Sequence, residues 1–184
     1  MDLDALAHRL GLTAPGQALI LIGATAAMLP MPDLDQRLQG LLHHRSILTH
    51  SLLVPFLVLW FVPGLGPAVA AGAFLGVAVH LAADCLSPMR GFGRVWWPEP
   101  VGGSLGAAGS RLWLMAHAVG GGWMAASLTP STPGWRMAGA VAAVTAAVLY
   151  GLRNEKSVIS ALAALVLVAA GMGLRWRAWT WSWS

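Results

Sequence analysis

The run from Leu65 to Leu86 holds 22 residues and a single formal charge, Asp84. A membrane-spanning helix needs roughly 20 consecutive, mostly apolar residues, whereas a buried helix of a soluble core is usually shorter. Five further apolar runs accompany it, at residues 17–29, 47–62, 112–128, 137–152 and 158–174. Those at 112–128 and 158–174 meet the lower limit of about 17 residues, and those at 47–62 and 137–152 need a few flanking residues to do so. Residues 17–29 either span or lie as a re-entrant or interfacial helix. No strand-like alternation and no internal repeat competes with this pattern. The expectation is an all-α, polytopic transmembrane bundle of five or six membrane helices, forming one integral membrane domain over residues 1–184.

Composition excludes the alternatives. Apolar residues make up 57% of the chain and charged residues 10%, against about 25% charged in soluble domains, too few to coat a water-exposed surface. So much apolar surface also excludes disorder. The net charge of +4 comes from eleven scattered Lys and Arg residues with no basic block, so the footprint required for nucleic acid is missing and no such partner is expected. In a membrane chain these charges set topology. With loops alternating sides, Arg37, Arg45, Arg90, Arg94, Arg111, Arg153 and Lys156 fall on one side, and Arg9, Arg136, Arg175 and Arg177 on the other. The richer side is expected to be cytoplasmic, taking with it the two long loops at 30–46 and 87–111. Asp2 and Asp4 speak against a cleaved signal peptide, which opens with positive charge. Cys85 is the only cysteine, and the Trp-rich tail, residues 175–184, reads as an interfacial anchor.

Against this apolar background the few ionisable residues cluster. Asp33 and Asp35 follow the first apolar run, His43 and His44 with Arg45 precede the second, and His50 lies near its start. His80 and Asp84 end the third run. Spaced four apart, they share a helix face, and Gly72 and Gly76 continue that stripe backwards. Small residues admit a neighbouring helix closely, so the polar pair lies against protein. Adjacent His43 and His44 cannot point the same way. Ser46 is a plausible N-cap for the second helix, and His117 is expected about five residues into the fourth. His8 reads as surface. Carboxylate and imidazole ligands together suit a divalent transition metal, Zn or Mn foremost. The candidate ligands are Asp33, Asp35, His44, His50, His80 and Asp84, enough for one ion or two. A metal with an open coordination position supplies hydroxide near neutral pH.

In order, these motifs read Pro32-Asp33-Leu34-Asp35, His44-Arg45, Thr49-His50-Ser51-Leu52-Leu53, Gly76 to Asp84, and Ser87-Pro88 through Trp97-Pro98. The set resembles the bacterial inner-membrane family of metal-dependent hydrolases, also described as LexA-binding, inner-membrane-associated hydrolases. It covers roughly residues 20–100, and the helical remainder at 112–174 is generic. The family often reads His-Arg-Gly-x-Thr-His; here Ser46-Ile47-Leu48 separate Arg45 from Thr49, one residue more. His44, directly before Arg45, takes the family position. The resemblance implies an activity class, metal-dependent hydrolysis, and a bacterial inner-membrane location, with no substrate attached.

The reading is therefore a membrane-embedded metal-dependent hydrolase of an ester or phosphoester, with membrane lipid or a lipid-like amphiphile as the expected partner and the site at the cytoplasmic edge. Arg45, whose planar fork suits a carboxylate or a phosphate, is expected to stabilise developing negative charge, and His117 to assist in catalysis. The general base stays open, as does oligomeric state. The rivals are a cation transporter and a non-enzymatic membrane scaffold.

Overall fold

The computed structural model describes residues 14–38, 41–61, 64, 66–86, 94–98 and 100–181, with side chains to residue 177. The described chain is all-helical: α1 (Ala14–Met28), a 3-10 turn (Met31–Arg37), α2 (Leu53–Phe61), α3 (Pro67–Cys85), α4 (Gly106–Leu128), α5 (Pro133–Arg153) and α6 (Val158–Trp181). Isolated bridges that tie Trp96 to Ser46 and to Ser104 are the nearest approach to a sheet among the described residues.

Four stretches are long and apolar enough to cross a membrane: Gly16–Arg37, Pro67–Cys85, Pro133–Arg153 and Val158–Arg177. Four of the five or six expected spans thus meet both criteria among the described residues. α4 is long enough, with 23 residues, but Arg111, Trp113 and His117 bring its mean hydropathy below theirs. The run at 47–62 is a different case. Its helix covers only nine residues, Leu53–Phe61, about 14 Å at 1.5 Å per residue, too short to span. Outward faces elsewhere carry large apolar side chains, among them Leu19, Leu112, Met137 and Val166, a surface suited to lipid and costly in water.

α3 is the axis of the bundle and packs against every other described helix. Of its apolar stretch 94% is buried, against 17%, 44% and 33% for the other three. Close approach explains the glycines of its stripe. A Cβ on Gly72 would collide with the Leu21 carbonyl and Ala24, and one on Gly76 with the Thr25 carbonyl. The helix admitted by the small-residue stripe is therefore α1, running parallel to α3. On another face, Gly121 of α4 lies against Phe74 and Ala78, and the Cys85 thiol reaches the Arg111 carbonyl, so α4 runs antiparallel. The C-terminal ends of α1, α3 and α5 and the N-terminal ends of α4 and α6 consequently gather at one end of the bundle.

The two long loops meet at that end. Trp96 N–H donates to the Arg45 carbonyl at 3.0 Å, and Ile47 N–H donates to the Trp96 carbonyl at 2.8 Å. The described parts of 30–46 and 87–111 thus share one end of the bundle. The loop residues 87–93 and 99, the turn residues 62, 63 and 65, the tail beyond Trp181 and the N-terminal residues 1–13, with Asp2, Asp4 and His8, lie outside the described residues.

Candidate metal centre

Local chemistry diverts residues 45–52 from the helix that their apolar pattern suggests. Asp35, buried in the 3-10 turn, accepts at Oδ2 from the Ser46 backbone N–H at 3.0 Å and from Thr49 Oγ1 at 2.8 Å. These bonds hold a turn. Ser46 Oγ accepts from Leu48 N–H inside it, and Ser51 Oγ accepts from Leu53 N–H where α2 begins. Ser46 is therefore no helix cap, and His50 precedes the helix instead of sitting within it. Arg45 enters the turn with φ of 61°, a left-handed conformation rare for a non-glycine residue and held only where its surroundings enforce it.

That enforcement comes from Asp84. Arg45, 2% exposed, donates from Nε to Asp84 Oδ2 at 2.9 Å and from Nη2 to Oδ1 at 3.2 Å. The fork uses both carboxylate oxygens, the strongest geometry available to such a pair. Arg45 thus orients Asp84 from within the protein, which differs from the expected charge-stabilising contact with a substrate.

The two buried histidines point their Nε2 atoms into one space. His80 Nδ1–H donates to the Leu29 carbonyl at 2.9 Å, which leaves Nε2 with a lone pair in the neutral ring. That lone pair faces Asp84 Oδ2 at 3.6 Å, Asp33 Oδ1 at 4.0 Å and the Tyr150 hydroxyl at 3.4 Å. His50 Nδ1 lies 3.3 Å from Asp35 Oδ2, and its Nε2 lies 3.3 Å from Asp84 Oδ2 without a hydrogen-bond partner. A carboxylate or carbonyl on one imidazole nitrogen fixes the other for a metal, a recurring support for metal-bound histidines. The rings of His50 and His80 are 5.4 Å apart, and the Trp113 indole anchors the His50 carbonyl at 2.8 Å.

Imidazole nitrogens gathered with carboxylates in one buried space form a donor set that suits a cation. Two ligands at 2.1 Å from one ion lie about 3.4 Å apart at the tetrahedral angle; charge-assisted hydrogen bonds are shorter, about 2.7–2.9 Å. The shorter histidine–carboxylate separations, 3.3 Å for His50 to Asp35 and to Asp84, are compatible with the first spacing. Ligand atoms of Asp33, His50 and His80 lie within 4.8 Å of one another, and so do those of Asp33, Asp35 and His44. The buried Asp/His groups could therefore hold a metal ion.

Burial alone would depress the His50 imidazole, but hydrogen bonding and charge from Asp35 and Asp84 outweigh it and raise the ring above its usual 6.5. Without a metal, a proton is the cation that this space favours.

Of the sequence candidates, Asp33, Asp35, His44, His50, His80 and Asp84 are joined in one chain of contacts. His44, 34% exposed, and Asp33, 22% exposed, form its rim. The adjacent histidines diverge, with His44 facing Asp35 at 3.3 Å and His43 packing on Trp96. His117 stays outside. α4 starts at Gly106, six residues earlier than the apolar run, which carries His117 deeper; its Nδ1–H donates to the Trp113 carbonyl and its ring stacks on Trp113. Tyr150, 2% exposed, escaped the sequence reading, although it is the chain's single tyrosine and the phenol facing His80. No protein family, curated protein or solved structure matches the chain.

Proposed function

We propose that the chain is a membrane-embedded, metal-dependent hydrolase of an ester or phosphoester, as its motif resemblance to the inner-membrane hydrolases implies, with its site facing the cytoplasm. The observation that carries this reading is the pair of buried Nε2 atoms, of His50 and His80, turned toward Asp33 and Asp84 at the mouth of an otherwise apolar bundle. A divalent transition ion held there, Zn or Mn by its ligand chemistry, would lower the pKa of a coordinated water towards about 7 and polarise the scissile group. The protein's part is to hold the ligands. Leu29 and Asp35 fix the two imidazoles, Arg45 fixes Asp84, and the partly exposed Asp33 leaves a way in.

Two clefts along the α1–α5 seam favour a lipid-like substrate. One of about 300 Å³ is lined by Leu29, Pro30, Tyr150, Arg153 and Asn154, and two of these residues, Leu29 and Tyr150, touch His80. Farther along the seam, an apolar cavity of about 390 Å³ lies among Ile22, Trp135, Met137 and Val141. An anionic head beside Arg153 and a chain along the seam fit this distribution. The cluster lies at one end of the bundle and not at mid-depth, which disfavours a transporter, whose ion sites lie near the midplane.

Elemental analysis of detergent-purified protein, paired with hydrolysis of a phospholipid and phosphoester panel with and without chelator, tests the proposal. Bound metal and chelator-sensitive hydrolysis are expected, both lost in His80→Ala. Metal-replete protein that cleaves nothing on the panel but carries divalent ions into liposomes would overturn it.

A further inference from the structure

Asp33 belongs to both ligand groups, the inner one with His50 and His80 and the outer one with Asp35 and His44. We propose that the site is a two-ion centre in which the Asp33 carboxylate bridges the ions, a deepening that rests on the metal reading above. The division of labour at Asp35 supports it. Oδ2 is occupied by the Ser46 N–H, the Thr49 hydroxyl and the His50 ring. Oδ1 faces outward to His44 Nδ1 at 3.3 Å, a separation that two ligands of one ion also have. Asp35 therefore presents one oxygen to the inner histidine and the other to the outer position.

Asp33 lies between the positions. Its Oδ1 takes a hydrogen bond from Gln36 Nε2 at 2.8 Å and stands 4.0 Å from His80 Nε2. The buried His50 Nε2, which makes no hydrogen bond and lies 3.3 Å from Asp84 Oδ2, independently marks the inner position. Ions sharing a carboxylate sit about 3.5–4 Å apart and clamp the attacking and leaving oxygens of a phosphoester. The positions differ in exposure. Both inner histidines are fully buried, whereas His44 is 34% exposed. The inner ion is held more tightly, and the outer one exchanges with solvent.

The test is a titration of chelator-stripped, detergent-solubilised full-length protein with Mn(II) alone, read by equilibrium dialysis and by low-temperature electron paramagnetic resonance. Two equivalents are expected in sequence, with an exchange-coupled signal once the second binds. His44→Ala, a rim substitution that leaves the buried ligands in place, is expected to bind one equivalent and show only uncoupled Mn(II). His50→Ala is expected to lose the tight equivalent. One equivalent in the wild type, or two retained by His44→Ala, would overturn the bridged pair while leaving a single-ion hydrolase intact. No binding at all would sink the metal site itself.

Discussion

Replacing Asp84 with alanine removes the carboxylate that faces a buried guanidinium. Arg45 is 2% exposed and directs two hydrogen bonds, of 2.9 and 3.2 Å, to the carboxylate that the substitution removes. Breaking a buried pair by removing one partner costs about 3–5 kcal/mol, because the surviving charge stays uncompensated. For a chain of this size about 1 kcal/mol moves the melting temperature by roughly 2–4 °C, so Asp84→Ala is expected to melt about 6–20 °C below wild type. Replacing both partners with apolar residues removes the remaining charge as well and is close to neutral in comparable pairs. Asp84→Leu combined with Arg45→Met is therefore expected to recover most of the loss. The assay is thermal unfolding of metal-free protein in detergent, followed by circular dichroism. Two results would refute the reasoning: a single variant within about 2 °C of wild type, or a double variant no more stable than the single.

Three further outcomes are expected. The raised His50 pKa gives a signed pH dependence: the stabilisation from protonated His50 is complete below the usual 6.5 and is lost as pH rises through the folded-state value, so metal-free protein should melt lower on the alkaline side, while metal, which needs the neutral ring, binds more tightly there; calorimetric melting and dialysis across pH 5–9, roughly the range about that value, check both signs. Gly76→Val should separate α1 from α3, because its Cβ meets the Thr25 backbone; a cost of about 1–3 kcal/mol together with weakened metal binding is expected by melting and dialysis, and an unchanged metal affinity would show that α1 docking does not position Asp33. His117→Ala should leave metal content at the wild-type level by elemental analysis, since its contacts among the described residues are with Trp113.

Much of this arrangement was legible in residue spacing. The i, i+4 register of His80 and Asp84, the glycine stripe behind them and the alternation of His43 and His44 follow from helical and local geometry, and the structure reproduces each. The start of α2 was not legible. Apolar periodicity from Ile47 onward cannot register that Asp35, eleven residues earlier than Ser46, captures its backbone N–H. The same limit left open which carboxylate the Arg45 fork would pair with, since Asp84 lies 39 residues away. Tyr150 lay in sequence that looked generic because only tertiary packing brings its hydroxyl to His80. Hydropathy likewise sums side chains and does not see the turn that shortens α2 to nine residues.

The central position of α3 has a consequence for biogenesis. Its stretch is 94% buried, so its alanines and glycines are matched to neighbouring helices and not to acyl chains. Three of the helices that enclose it, α4, α5 and α6, are synthesised afterwards. The candidate ligands, by contrast, all precede Cys85. A nascent chain released only through α3 already carries the full ligand set but none of its later covering. Asp84 and His80 thus enter the bundle before Tyr150 of α5 and Trp113 of α4, the residues that later cover the cluster, have been made.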